Sequence, residues 1–169
     1  MKKKIELGVY TNPYHSHQDW LYQDIYPYPN VDIVCDAISL PIESNSMEEV
    51  YASHIIEHFY FDDARSAIKE WLRILQPGGK LTIVLPDFAK VWEMVINHEK
   101  PKFMDKYVDT VEDWAARLMS NDRNVPHSHR NHYPYYWYEE TISKMGCQVS
   151  IERVYRWVVP EVIVSVIKL

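Results

Sequence analysis

Short apolar runs, each closed by a small or acidic residue, set the pattern of the first third of the chain. Lys4–Leu7 ends in Gly8, Trp20–Gln23 in Asp24, and Val31–Cys35 in Asp36. A fourth run, Glu49–Ala52, follows the turn-rich Ser44-Asn45-Ser46 and leads into Ser53-His54. Runs of this length bounded by turn formers read as strands. The spacing then changes. Ala64, Ala67, Ile68, Trp71, Leu72 and Leu75 recur at helical intervals, while Asp63, Arg65, Ser66, Lys69, Glu70 and Arg73 take the other face. Asp62 is the expected N-cap of this helix, and Pro77-Gly78-Gly79 its stop. Lys80–Leu85 is nearly continuous in apolar residues, as in a central strand covered on both faces. Asp87 is placed to cap a further helix carrying Phe88, Val91, Trp92 and Val95 on one side. Pro101 opens another, with Phe103, Tyr107, Val108, Val111, Trp114, Ala115 and Leu118 at helical spacing. Ser120–Pro134 is a polar loop, Tyr136–Met145 a short helix ended by Gly146, and Cys147–Val154 and Val162–Leu169 the last two strands.

Strands that alternate with helices imply an α/β domain whose parallel strands open a ligand crevice at their carboxyl ends. The first two connections are about nine and eight residues long, shorter than the dozen or more that a helical crossover takes. Pro27 and Pro29 keep the second of them extended. The sheet near strands one to three therefore lacks helices. Its cover must come from Tyr14, Trp20, Tyr26 and Tyr28, or from a second subunit, so a homodimer is expected.

Composition narrows the class. The 169 residues suit one domain over 1–169. No apolar run approaches a membrane span of about 20 residues, and Met1–Tyr10 has no secretory apolar core. Cys35 and Cys147 sit in apolar runs, as reduced buried thiols do, which points to the cytoplasm. A net charge of −6 argues against a nucleic-acid groove, so no nucleic-acid or membrane partner is expected. Only 4 glycines against 13 tyrosines weigh against a phosphate-cradling loop.

Candidate chemistry sits at the strand ends. Asp24 and Asp36 end neighbouring strands, where a carboxylate can accept from a ribose diol or an exocyclic amine; equally, each can be a turn or cap residue. Ser53 and His54 share that edge. Asn12-Pro13-Tyr14 is similar to the Asn/Asp-Pro-Pro-Tyr of amino-methylating enzymes but follows the wrong strand, and reads as a turn. His127, His129 and His132 crowd one loop. With no cysteine pair and no His-Glu-x-x-His, no metal site is expected, although a metal-dependent hydrolase built on that loop is a third reading. Tyr133, Tyr135, Tyr136, Trp137 and Tyr138 form a dense aromatic cluster.

The residues from Val31 to Phe59, and Ala67-Ile68-Lys69-Glu70-Trp71-Leu72-Arg73-Ile74-Leu75-Gln76-Pro77-Gly78-Gly79 running on to Asp87, resemble the class I S-adenosylmethionine-dependent methyltransferases of the type 11 kind. That resemblance implies a Rossmann-like three-layer sandwich, with a mostly parallel seven-stranded sheet and an antiparallel last strand. It implies that S-adenosylmethionine is held by Gly8, Asp24, Asp36, Ala37, Ser53 and His54. In it Asp24 would take the ribose hydroxyls, Asp36 the adenine amine and Ala37 the ring. His54, with His129 and His132, would serve the reacting end. Methyl transfer to a small-molecule or sugar-containing acceptor is the implied activity. The family's Gly-x-Gly is here Gly8-Val9-Tyr10. The alternative is therefore a non-catalytic module of the same fold, with weak or absent cofactor binding, acting through a partner or as a dimer.

Overall fold

The computed structural model describes residues 2–99, 110–119, 128–156 and 159–169. Seven strands form one sheet: β1 (Lys4–Leu7), β2 (Trp20–Asp24), β3 (Ile33–Val34), β4 (Met47–Ser53), β5 (Leu75–Pro86), β6 (Cys147–Arg156) and β7 (Val159–Lys168). Their order is β3-β2-β1-β4-β5-β7-β6. β1 to β5 pair in parallel, and β7 runs antiparallel to both β5 and β6. The order reverses at β1, with β2 on one side and β4 on the other, so the carboxyl ends of β1, β2 and β4 open a crevice there.

Helix α1 (Phe61–Ile74) packs its apolar stripe, Ala64, Ala67, Ile68, Trp71 and Leu72, into the main core. Its N-cap is Tyr60 rather than Asp62, and Tyr60 makes no side-chain cap hydrogen bond. Asp62 lies in the first turn instead, where its charge meets the positive end of the helix dipole. The helix also ends before Pro77: Leu75 leaves it with extended backbone, and Pro77-Gly78-Gly79 belongs to β5. α2 (Phe88–Ile96) is capped as expected, the Asp87 carboxylate accepting from the Lys90 N–H at 3.0 Å. α3 (Val111–Leu118) packs with α2 through Val91, Met94, Val111, Trp114 and Ala115, a cluster separate from the main core. The start of the helix expected from Pro101 lies outside the described residues. α4 (Tyr135–Ser143) precedes β6.

No helix interrupts residues 8–46. A polar clamp and an aromatic stack do its work. Glu6, buried on β1, accepts from the backbone N–H groups of Tyr14 and His15 and pairs with the His15 ring. His15 lies flat on Trp20 with centroids 3.8 Å apart, and Tyr14 stacks on Tyr51. Tyr22 donates its hydroxyl hydrogen to the His15 carbonyl. Tyr14 and Trp20 thus cover the sheet face from within the chain, while Tyr26 and Tyr28 turn towards the crevice. Of the four aromatics expected to cover this face, Tyr14 and Trp20 do so. No helix among the described residues is long and apolar enough to cross a membrane.

Candidate functional site

The crevice is a cleft of about 660 Å³ along the strand ends. Gly8 and Tyr10 line it after β1; Gln23, Asp24, Ile25, Tyr26 and Tyr28 after β2; and Asp36, Ala37 and Ile38 after β3. His54, Ile55, His58 and Phe59 close it after β4, with Asp63 of α1 and Arg130 beyond. Of the residues singled out in the sequence, Gly8, Asp24, Asp36, Ala37 and His54 meet in this one cleft. Ser53, at the end of β4, is not on its wall, and neither His129 nor His132 lines it.

Each member is set by local chemistry. Gly8 has φ +67°, and a Cβ there would lie 2.9 Å from Ile55 Cδ1, so both the backbone and the packing require glycine. Its N–H donates to the Gln23 carbonyl at 2.9 Å, and the Gln23 amide donates to the Cys35 carbonyl at 2.6 Å, so three strand ends are tied together. Asp24 is buried. One carboxylate oxygen accepts from Tyr10 N–H at 2.9 Å and the other from Tyr26 N–H at 3.0 Å. A carboxylate has about four acceptor positions, so it retains capacity for a diol. Asp36 is exposed and accepts from Ile38 N–H at 3.1 Å, a turn that sets the backbone of Ala37 and Ile38. The Ala37 carbonyl accepts from the Trp71 indole at 3.0 Å, which anchors this turn to α1. Ile25 is 59% exposed although apolar, and with Ile38 it gives the cleft apolar lining.

Tyr10 replaces the second glycine of the expected loop. It adopts φ 48°, strained for a residue with a side chain, and its N–H is held by Asp24. Tyr10 is 53% exposed, and its ring meets Tyr28 edge-on at 5.0 Å. The cleft wall here is aromatic where a glycine-rich loop would leave open backbone.

His54 occupies the floor. It too has positive φ, 52°. Its Nδ1 faces Glu57 Oε1 at 3.2 Å and its Nε2 faces Glu161 Oε1 at 3.0 Å. Burial alone would lower its pKa, but hydrogen bonds and attraction from Glu161 and Glu57 overcome that and carry it up to about 10. His54 is therefore an imidazolium at neutral pH. It holds its place and does not take up a proton there. Glu57 is fully buried. Burial would raise its pKa, but the bond to His54, with the charges of His54, His58 and His129, lowers it.

His129 and His132 lie behind the wall. His129 sits against His58, with centroids 4.9 Å apart, and against Phe88; His132 packs edge-on to Phe88 at 4.8 Å. Burial lowers the pKa of both. Both are directed towards the α2 side by the run from Ser128 to Asn131. There Arg130 and Asn131 N–H donate to the Glu57 carbonyl, and the Asn131 amide donates to the carbonyls of Ile56 and Phe59. What reaches the cleft from this segment is Arg130, whose guanidinium lies 4.8 Å from the Tyr60 ring centroid.

Sequence reasoning missed Glu57, Glu161 and Gln23. Glu161 carried a visible signal, a lone acid entering the apolar Val162–Ile167 run. Glu57 lies three residues beyond His54, one turn of the short 3-10 helix Ile56–His58 that follows β4.

Residues 18–83 match the family model of the methyltransferase domain. The chain is 29% identical over 121 residues to the mouse "Probable tRNA methyltransferase 9B", an alignment covering 71% of this chain and 26% of that protein. It is 32% identical over 89 residues to the ubiquinone/menaquinone biosynthesis C-methyltransferase UbiE of Chromobacterium violaceum, covering 53% of this chain and 33% of that one. Among solved structures, a SAM-dependent methyltransferase from Archaeoglobus fulgidus superposes with TM-score 0.66 at 11% identity, over 99% of this chain and 86% of that one. The chain thus spans a quarter to a third of the length of these two curated relatives. One expectation is corrected. The expectation of no nucleic-acid partner, drawn from overall acidity, is overturned by a relative aligned over most of this chain that is named for tRNA. Net charge summed over a whole domain does not report the field at one cleft.

Proposed function

We propose that this chain, which belongs to the class I S-adenosylmethionine-dependent methyltransferases by fold and by the match over residues 18–83, binds S-adenosylmethionine in the cleft at the ends of β1 to β4 and catalyses methyl transfer. The observation that carries this reading is the pair of carboxylates, Asp24 and Asp36, on adjacent strand ends, with Ile25, Ala37 and Ile38 lining the same cleft. A ribose diol suits Asp24, and an adenine ring suits the apolar surface, with its amine towards Asp36. Gly8 supports close backbone approach at β1.

When bound, the cofactor supplies a methyl group activated on a sulfonium. The protein has to align the acceptor in line with it and exclude water. His54, fixed between Glu57 and Glu161, shapes the floor and stays protonated, so an acceptor must arrive with its nucleophilic lone pair exposed or lose its proton to solvent. Tyr10, Tyr26 and Tyr28 at one side, and Arg130 over Tyr60 at the other, favour a flat ring bearing an oxygen or a negative charge. Uracil in RNA and a quinol ring both have that chemistry.

A second reading is favoured by Tyr10. Its side chain and strained backbone stand where a glycine would let the methionine portion of the cofactor approach. On that reading the fold is a binding module that has lost transfer. Calorimetry with S-adenosylmethionine and its demethylated product separates the two from the start. Binding of both, with methyl incorporation into an RNA or quinol acceptor, supports the enzyme; binding without transfer to any acceptor supports the module; no binding at millimolar concentration ends the cofactor assignment.

A further inference from the structure

We propose that Glu57, His58 and His129 form a binding site for one divalent transition-metal cation, with Zn²⁺ best matched to the donors. Each residue contributes one ligand atom, and these atoms all lie within 4.8 Å of one another. Two histidines and one glutamate are a donor set that binds zinc in a tetrahedral site while leaving a position for water or another oxygen.

An unsatisfied buried charge marks the site. Glu57 is fully buried, and its Oε1 faces His54, but its Oε2 has no hydrogen-bond partner. A buried carboxylate oxygen without a donor is destabilising, and buried charges are otherwise paired or coordinate metals. The neighbouring His129 repeats the pattern: its Nδ1 is buried without a partner. The His129 Nε2 lies 4.0 Å from Glu57 Oε1, so this ring and the carboxylate face each other.

The third ligand is already oriented. His58 Nδ1 lies 3.1 Å from the Ser128 carbonyl, a contact that fixes the ring on the turn after β4. A hydrogen bond from the non-ligating nitrogen to a carbonyl is how metal-binding histidines are commonly fixed. The supporting backbone is also in place. Glu57 and His58 lie on one turn after β4, and His129 lies on the segment that Arg130 and Asn131 clamp to that turn through four hydrogen bonds. Tetrahedral ligands at 2.0–2.1 Å from an ion stand about 3.4 Å apart. The donors here, all within 4.8 Å of one another, need to close by up to about 1.4 Å, which side-chain rotation of the three ligands can supply. His15 and His17 differ: each already faces a carboxylate, Glu6 and Asp32 respectively.

The site joins the β4 turn to the segment carrying Arg130, and His58 forms part of the cleft wall. A bound cation would lock that wall and present its open position beside the cleft. The inference does not rest on S-adenosylmethionine binding.

Equilibrium dialysis of the untagged, chelator-treated full chain against Zn²⁺ tests it, with Co²⁺ as a spectroscopic probe. The expected result is one equivalent of Zn²⁺, a Co²⁺ absorption spectrum of low-coordinate type, and a rise in the thermal midpoint on adding Zn²⁺. His129→Asn and Glu57→Gln should each weaken binding by at least about tenfold and abolish the thermal shift, whereas His17→Asn should leave both unchanged. Substoichiometric binding by the wild-type chain, or wild-type affinity in His129→Asn, would overturn the proposal. Glu57→Gln tests folding as well as binding, so His129→Asn, on a half-buried side chain, is the deciding variant.

Discussion

Two residues decide whether the cleft is a cofactor site. Asp36 is exposed and engaged only in a local turn. Asp36→Ala should therefore leave the thermal midpoint nearly unchanged while weakening S-adenosylmethionine binding roughly 10- to 100-fold, the loss expected for about 1.5–3 kcal/mol of hydrogen bonding to a charged group. Titration calorimetry on both proteins checks this; equal affinities would remove Asp36 from the site. Gly8 carries the backbone claim. A methyl group at φ +67°, directed at Ile55, should lower stability in Gly8→Ala by about 1–3 kcal/mol, read from urea unfolding. Both residues were legible in the sequence, because each stands immediately after an apolar run. His54 was legible in position but not in state. Its charge depends on Glu161, which is 107 residues away and reaches it only because β7 returns beside β5.

At the scale of elements, α1 and the turn at Asp36–Leu40 act together. The Trp71 indole donates to the Ala37 carbonyl, and the Glu70 carboxylate accepts from Leu40 N–H while pairing with Arg73. Trp71→Phe leaves that buried carbonyl unpaired and should cost about 1–3 kcal/mol, with weaker cofactor binding as the turn loosens. The Glu70 pKa is lowered, chiefly by the Arg73 guanidinium, with the Leu40 N–H assisting against burial. A depressed carboxylate stabilises the fold above its ordinary value near 4.5, and that contribution is lost as pH falls through the lower folded value. Glu70→Gln should thus be less stable than wild type at neutral pH, with the gap narrowing in acid; a gap independent of pH would contradict the ion-pair account. The amphipathic stripe of α1 was plain in the sequence because its period is local. Its ends were not. Tyr60 starts the helix without a side-chain cap, and Pro77-Gly78-Gly79 extends a strand, because pairing of β5 with β4 overrides the local turn preference.

At the scale of the whole molecule, one consequence follows from the missing helices. Residues 8–46 are held by Glu6, the His15–Trp20 stack and Tyr22, contacts that a periodicity argument cannot see. The strands themselves were readable along the chain, since each run and its closing residue are local; their order in the sheet was not. The aromatic cover, the buried Glu57–His54–Glu161 network and the turning of His129 and His132 away from the cleft are long-range outcomes of packing. The same long-range assembly leaves Tyr10 lining the cleft, so the proposed function depends on whether that cleft accepts S-adenosylmethionine. Isothermal titration of the full chain with S-adenosylmethionine measures this directly. The account predicts saturable one-site binding that Asp36→Ala weakens. The absence of heat and of any thermal shift at millimolar ligand would contradict it.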